Sequence, residues 1–140
     1  MIELLTANTP NGKKISIMLE ETNLKYKVTK VNINKDEQFK PDFIKLSPFR
    51  KIPVIIDHDN NQSLFESGAI LIYLGEKSGK FYDKNERTAI NQWLMGQRLT
   101  LDQCLDNIIN FIIITLGKVI SGRKDILRFL REFTKNWMRD

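Results

Sequence analysis

Pro53 stands immediately before the β-branched run Val54-Ile55-Ile56, and this position strongly constrains how the chain can fold. Proline has no backbone N–H to donate to a neighbouring strand, so within a sheet it belongs at the start of a strand or at an edge. Val and Ile favour strands because their branched side chains pack well on a pleated surface. The sequence therefore predicts a strand over residues 52–56, with the proline near its beginning. The residues alone favour a trans Ile52–Pro53 bond, since cis is the minor form of X–Pro bonds.

Strand and helix patterns alternate through the first 80 residues, each recognised by its apolar spacing or by the turn residues that bound it. The predicted elements are a strand over 2–5, a helix over 13–23, a strand over 26–33, a short helix after Pro41, the strand over 52–56, a hairpin partner over 63–65 and a helix from Glu66-Ser67 to Ser78-Gly79. This order, β-α-β-α-β-β-α, predicts an α/β fold of the thioredoxin-like type, with a right-handed first crossover.

A second segment begins after Tyr82 and changes character along its length. Residues 86–101 have a helical pattern, whereas the apolar residues beyond them are plentiful but irregularly spaced. The longest apolar stretch, 108–120, is shorter than the roughly 20 residues that a membrane-spanning helix needs. We therefore expect a thioredoxin-like domain over 1–80, a helical segment over 81–140 and no membrane association.

Composition limits the function classes. The net charge of +5 gives a mildly basic surface that suits anionic small molecules as well as nucleic acid, but no nucleic-acid motif is present, so we expect no such partner. The single cysteine, Cys104, excludes an internal disulfide and a CxxC redox pair. A thiol-based activity would have to take its sulfur from a ligand. The N-terminus lacks the pattern of a signal peptide, which predicts a cytoplasmic protein.

Thr9 and Asn11 lie between a predicted strand and the start of a predicted helix. At such a position the helix dipole and the free amides favour a negative centre such as a thiolate. The alternative is that one of the two serves only as a helix N-cap. The residues alone leave both interpretations open.

Ser67 also begins a predicted helix, where its hydroxyl and backbone amide could receive a carboxylate. A plain N-cap is again the alternative. Lys51, with Arg50 beside it, could neutralise a carboxylate, although most such lysines are simply solvated. Each of these signals is weak when taken alone.

Taken together, the strings TPNGKKI, KIPVI and LFESGAILIYL resemble the N-terminal domain of the glutathione transferases, and specifically the bacterial nu class. The resemblance covers about residues 1–97. Most of that superfamily activates glutathione with a Tyr, Ser or Cys near the end of the first strand, whereas the nu class uses a Thr and an Asn. The resemblance thus implies that Thr9 and Asn11 face the glutathione sulfur and stabilise its thiolate.

The same resemblance implies a role for each remaining candidate residue. Ile52, beside a cis-Pro53, would pair its backbone with the cysteinyl part of glutathione; Lys51 and Gln38 would lie near the glycine carboxylate; Glu66 would hold the γ-glutamyl ammonium and Ser67 the adjacent carboxylate. The implied activity is reduction of small disulfides by thiol–disulfide exchange, with glutathione as cosubstrate, no metal, and weak transferase activity beside it. The implied assembly is a homodimer, formed through the helices that begin at Ser67 and near Glu86.

The resemblance stops at about Arg98, and a chain of 140 residues is too short for the all-helical second domain of the family. One codon choice for Leu101 to Asp106, read with each codon one base earlier, spells GPMLG, the continuation expected in the nu class. We therefore predict that residues 98–140 are a frameshifted remnant. The alternative functions are a non-catalytic product of a degenerate gene and a regulatory module that only binds glutathione.

Overall fold

The computed structural model of the chain describes residues 1–100, and the predictions that fall on residues 101–140 lie outside this range. The chain divides into two compact units, Met1–Tyr82 and Asp83–Asp140. The first unit contains β1 (Ile2–Thr6), α1 (Pro10–Thr22), β2 (Tyr26–Lys30), two 3-10 turns (Ile33–Lys35 and Glu37–Phe39), α2 (Pro41–Leu46), β3 (Val54–Asp57), β4 (Gln62–Phe65) and α3 (Ser67–Ser78). The described part of the second unit contains α4 (Arg87–Thr100).

The predicted order β-α-β-α-β-β-α is confirmed, but several boundaries are shifted: α1 begins at Pro10 and not at residue 13, and β2 and β3 differ as well. β3 begins at Val54, directly after Pro53, because the proline has no N–H for the ladder. β2 ends at Lys30 and not at residue 33, since the Asn32 side chain accepts a hydrogen bond from the Asn34 amide and starts a 3-10 turn.

The four strands form one mixed sheet in the order β2-β1-β3-β4. β1 runs parallel to β2, whereas the β1–β3 and β3–β4 pairs are antiparallel. In this register Leu5 pairs with Val54, and Val54 pairs with Phe65. The last residues of β1, β2 and β4 and the first residue of β3 therefore share one edge of the sheet, which we call the Thr6 end.

Both faces of the sheet are covered by helices. Leu4 and Ile55 pair across β1 and β3 and so point to the same face; they are fully buried, as are Leu19 of α1 and Leu74 of α3. On the other face Phe43 of α2 forms a core with Val31 and Val54, to which Leu5, Leu46, Ile52 and Phe65 add partly buried contacts. Each fully buried aliphatic side chain stabilises the fold by about 1.5–3 kcal/mol. Among residues 1–100, no helix combines the length and the apolar character of a membrane span.

A buried carboxylate ties α3 to the opposite end of the sheet. Asp57 is completely buried, and its oxygens accept hydrogen bonds from Tyr73 Oη, from Lys77 Nζ at 2.7 Å and from the Asp59 amide at 3.0 Å. Burial alone would raise the pKa of Asp57, but these donors outweigh it and lower the pKa to about 2.

We expect Asp57→Asn to destabilise the fold by about 2–4 kcal/mol at neutral pH, because it removes the partner charge of Lys77 from a buried site. The pKa of Asp57 is about 2 in the folded chain against a reference value of 3.8, so the unfolded chain takes up its proton first as the pH falls. The contribution of Asp57 is thus complete above about pH 4 and is lost toward about pH 2.

Urea unfolding of the unmutated protein and of Asp57→Asn between neutral and acidic pH measures both effects. The acid-dependent loss of stability should be smaller in the variant. Glu21→Gln is the control, because Glu21 is an exposed carboxylate on α1. Equal stability of Asp57→Asn and the unmutated protein at neutral pH would contradict this account.

Candidate functional site

Four connecting segments meet at the Thr6 end of the sheet. They are residues 7–12 after β1, 31–40 after β2, 47–53 before β3 and 66–68 after β4. Their meeting follows from the register, because Thr6 pairs with Lys30 while Leu5, Val54 and Phe65 stand in one row. Every site residue predicted from the sequence belongs to one of these segments.

Thr9 is the N-cap of α1, and this role does not exclude a contact to a ligand. Its backbone is extended (φ -131°, ψ 157°), and its Oγ1 accepts a hydrogen bond from the Gly12 amide at 3.2 Å. A threonine hydroxyl also carries one proton to donate. The cap therefore uses the Thr9 hydroxyl as an acceptor. The proton of the same hydroxyl can still be donated to an anion in front of the helix.

The first turn of α1 retains a donor for such an anion. Pro10 contributes no N–H, the Gly12 amide binds Thr9 Oγ1, and the Lys13 amide binds the Thr9 carbonyl at 3.0 Å. The Asn11 amide is the remaining N–H of this turn, and the turn has no acidic residue. The positive end of the helix dipole is thus not neutralised by a carboxylate of the same turn.

The Asn11 side chain is exposed at the same helix end. Its Oδ1 accepts a hydrogen bond from Lys14 Nζ at 2.9 Å. The amide oxygen is therefore engaged, and the Nδ2 end of the group carries its two donors. Thr9 and Asn11 thus both bring hydrogen-bond donors to the start of α1.

Gly12 has a packing role that the sequence reading did not assign. A Cβ built on it would lie 2.2 Å from Thr6 Oγ1 and 2.7 Å from the Ala7 carbonyl oxygen. Thr6 is itself buried, and its hydroxyl donates to the Ala7 carbonyl at 3.2 Å. Only glycine therefore lets the first turn of α1 approach the end of β1 this closely.

Ser47 fixes the segment that leads into β3. It is completely buried, and its Oγ donates to the Lys51 carbonyl at 2.9 Å while accepting from the Lys51 amide at 3.2 Å. The sequence alone assigned no role to Ser47. A small hydroxyl residue just after a helix was the available signal, but it does not specify a partner four residues away.

The Ile52–Pro53 bond held by this segment is cis. This agrees with the family resemblance, while the trans form favoured from the residues alone is wrong. The intrinsic preference for trans is only about 0.5–1 kcal/mol, which the tertiary context can override. Lys51 is exposed beside this bond.

Aromatic contacts support the same segment from outside. The Phe49 ring meets the Phe65 ring edge-on, with centroids 5.7 Å apart and an interplanar angle of 86°. The Arg50 guanidinium lies 5.8 Å from the centroid of the Phe39 ring, close enough for a cation–π contact. Phe49 and Arg50 thus connect the segment before β3 to the end of β4 and to the segment that contains Gln38.

Glu66 and Ser67 mark the start of α3. Glu66 is the N-cap residue with φ 70° and ψ 114°, and its side chain does not cap the helix. Ser67 is the first helical residue, so its interpretation as an N-cap is wrong. A non-glycine residue with such a positive φ costs about 1–3 kcal/mol and is typical of functional sites.

Gln38 is half-buried in the segment that follows β2. Its Nε2 donates to the Ile33 carbonyl at 3.5 Å, and its buried Oε1 has no hydrogen-bond partner within the described part of the chain. An unpaired buried acceptor costs about 1–3 kcal/mol. Because this oxygen only accepts hydrogen bonds, a contact of Gln38 with a carboxylate would use the Nε2 end of the amide.

The predicted site residues share an edge, but their described hydrogen bonds remain local. Those of Thr9 reach residues 7–13, that of Asn11 reaches Lys14, and that of Gln38 reaches Ile33. The sheet register rather than direct contact therefore brings Thr9, Asn11 and Gln38 to the same region. Within residues 1–100 no group of three or more His, Cys, Asp or Glu side chains could hold a metal ion.

Residues 2–76 match the family of the glutathione S-transferase N-terminal domain. The chain is 51% identical over 104 residues to the disulfide-bond oxidoreductase YfcG of Escherichia coli strain K12, covering 69% of this chain and 48% of that protein. It is 40% identical over 103 residues to the disulfide-bond oxidoreductase YghU of the same strain, covering 66% of this chain and 36% of that protein. The chain thus spans about half the length of these curated relatives, or less.

The fold is also similar to that of solved glutathione transferases. A glutathione transferase from Pseudomonas putida, crystallised with one glutathione disulfide bound per subunit, superimposes with a TM-score of 0.68 at 39% identity. The match covers 94% of this chain and 59% of that chain. The thioredoxin-like α/β fold predicted from the sequence is therefore confirmed.

We expect Gly12→Ala to destabilise the protein by about 1–3 kcal/mol, because the new methyl group would collide with Thr6 Oγ1 and the Ala7 carbonyl. Gly68→Ala is the matched control, since a Cβ there meets nothing within 4 Å. Replacing glycine by alanine in an open helical position should instead stabilise the fold by about 0.5–1 kcal/mol. Thermal and urea unfolding measure both variants, and equal stability of the two would refute the close approach.

Proposed function

The chain belongs to the glutathione S-transferase family, and from this premise we propose that it binds glutathione at the Thr6 end and uses it to reduce disulfides. The observation that carries the proposal is the meeting of three segments at that end: the capped start of α1, the Ser47-held segment before β3 and the start of α3. The two Escherichia coli relatives named disulfide-bond oxidoreductases support the choice of reaction.

The start of α1 supplies what a thiolate needs. The Thr9 hydroxyl, the Asn11 side-chain amide and the Asn11 backbone N–H would donate to the glutathione sulfur, and the helix dipole adds a partial positive charge. Donors to the charged form lower the pKa of a thiol from about 8.5 toward neutrality. These groups would thus raise the thiolate fraction of bound glutathione at neutral pH.

The other two segments, together with Gln38 of the segment after β2, would bind the rest of the tripeptide. The backbone of Ile52, beside the cis Pro53, would pair with the cysteinyl unit, and Lys51 with Gln38 would hold the glycine carboxylate. Glu66 would hold the γ-glutamyl ammonium, and the Ser67 hydroxyl and amide would receive the neighbouring carboxylate at the start of α3.

The reaction proceeds by two thiol–disulfide exchanges. The bound thiolate attacks one sulfur of the substrate, a mixed disulfide forms, and the other sulfur leaves as a thiolate that takes up a proton. A second glutathione thiolate then attacks the mixed disulfide and releases glutathione disulfide and the second thiol. One disulfide and two glutathione molecules thus give two thiols and one glutathione disulfide, and no cysteine of the protein takes part.

The alternative is a protein that binds glutathione without turnover or has lost both properties. The irregular spacing of the apolar residues after residue 100 favours this alternative, because such a segment is not patterned to face a core. Retention on immobilised glutathione, followed by an assay with glutathione and hydroxyethyl disulfide, separates the cases. Binding with turnover supports the oxidoreductase, and binding without turnover supports a module that only binds glutathione. Absence of both binding and turnover supports a degenerate product.

Five further proposals rest on the sequence alone. The chain would form a homodimer through the helices that begin at Ser67 and near Glu86, it would be cytoplasmic, and it would have weak transferase activity. Residues 1–80 would be the glutathione-binding domain, and residues 98–140 a frameshifted remnant of the helical domain.

The nucleotide sequence across codons 95–105 tests the frameshift. We expect that moving the reading frame by one base there restores GPMLG and then a patterned helical domain. The irregular apolar order after residue 100 would then have a cause, because those residues were not selected to face a core. A gene in which no single-base shift restores such a domain would rule the proposal out.

Substitutions at Thr9 separate the cap from the proposed sulfur contact. Thr9→Ser keeps the acceptor and the donor, whereas Thr9→Asp keeps an acceptor for the Gly12 amide but has no proton to donate at neutral pH. We expect Thr9→Ser to retain turnover. Thr9→Asp should lose at least roughly 10- to 100-fold, the range for a hydrogen bond to a charged group, because its carboxylate also repels the thiolate.

Thr9→Ala combined with Asn11→Ala should likewise lower kcat while glutathione binding largely survives, because the contacts of the other two segments remain. Calorimetric titration with glutathione and the hydroxyethyl disulfide assay measure the two quantities. Unchanged turnover in Thr9→Asp and in the double variant would exclude these residues from activation of the sulfur.

A further inference from the structure

Lys14 forms a hydrogen bond with the side chain of Asn11, which is proposed to face the glutathione sulfur. Its Nζ donates to Asn11 Oδ1 at 2.9 Å across one turn of α1. Residues three apart on a helix lie on the same face, so this contact needs no long-range packing. A lysine ammonium has three donors and no acceptor, so it can bind the oxygen of the Asn11 amide but not its nitrogen.

This restriction matters because the two ends of an asparagine amide are similar in size and opposite in hydrogen bonding. The terminal torsion of asparagine is broad and roughly two-fold, so a free side chain can present either end. A thiolate only accepts hydrogen bonds: the Nδ2 end stabilises it, and the Oδ1 end repels it. An amide held by its oxygen therefore offers its donors and not its acceptor.

We propose that Lys14 is a positioning residue that fixes the polarity of the Asn11 amide, so that Nδ2 and not Oδ1 faces the glutathione sulfur. This inference rests on the proposed function. Lys14 does not touch the sulfur in this role and acts through Asn11. Its ammonium would also polarise the Asn11 carbonyl, which makes the Nδ2 hydrogens better donors.

The first experiment measures the pKa of the bound glutathione thiol from the ultraviolet absorbance of the thiolate as the pH is varied. Lys14→Met removes the donor, Lys14→Arg restores it, and Lys13→Gln removes the same charge from the neighbouring position on α1. We expect Lys14→Met to raise the bound thiol pKa and to lower kcat roughly 3- to 10-fold, with little change in KM for glutathione. Lys14→Arg should restore both values.

The double variant separates action through Asn11 from direct action of charge. In the Asn11→Ala background, Lys14→Met should change neither the thiol pKa nor kcat. An equal effect of Lys14→Met with and without Asn11, or an equal effect of Lys13→Gln, would mean that charge acts on the sulfur directly and would overturn the proposal.

The second experiment needs no ligand, and it distinguishes failure of this inference from failure of the proposed function. The side-chain amide resonances of Asn11 in the free protein should shift in Lys14→Met and return in Lys14→Arg. Absence of a shift in Lys14→Met would overturn the proposal whatever the enzyme does. A second outcome is that the amide resonances shift as expected while the thiol pKa of glutathione bound to the unmutated protein equals that of free glutathione. This outcome would instead refute sulfur activation and overturn the catalytic part of this inference.

Discussion

The pairing of Leu5 with Val54 and of Val54 with Phe65 is the constraint on which the rest of the first unit depends. A slip of one residue would turn Val54 from the core beneath α2 to the opposite face, because side chains alternate along a strand. It would also move the start of β3 away from the end of β1. The burial of apolar side chains on both faces thus holds the register, and the register places the site segments.

Local contacts within the chain then shape the segments that the sheet register brings together. Thr9 closes the first turn of α1, Gly12 allows that turn to approach Thr6, and Ser47 holds Lys51 from both sides of its backbone. These interactions join residues no more than six positions apart, so each of them shapes its part of the chain locally. The buried Asp57, by contrast, stabilises the far end of the sheet, where its polar network does not compete with a ligand.

The sequence predicted the helices and strands well because their boundaries depend on residues that are neighbours in the chain. Pro53 set the start of β3, the turn residues after Asp57 set the hairpin, and apolar spacing revealed α1 and α3. β2 was predicted too long because the apolar residues Val31 and Ile33 continue its pattern, while the Asn32 side chain ends the strand. The role of Ser47 was missed because its partner lies four residues away in a segment without regular structure.

The sequence by itself determined the order of elements, the three motifs and the family, because helix caps, turns and strand patterns depend on neighbours in the chain. It left open whether Thr9 is an N-cap or a sulfur contact. The residue types alone favoured the wrong isomer before Pro53, whereas the family resemblance implied the cis form. Only the tertiary structure decided that Thr9 caps α1 through its acceptor, that the bond before Pro53 is cis, and that segments more than fifty residues apart share the Thr6 end. These outcomes depend on sheet register and on burial, which arise from contacts between residues far apart in the chain.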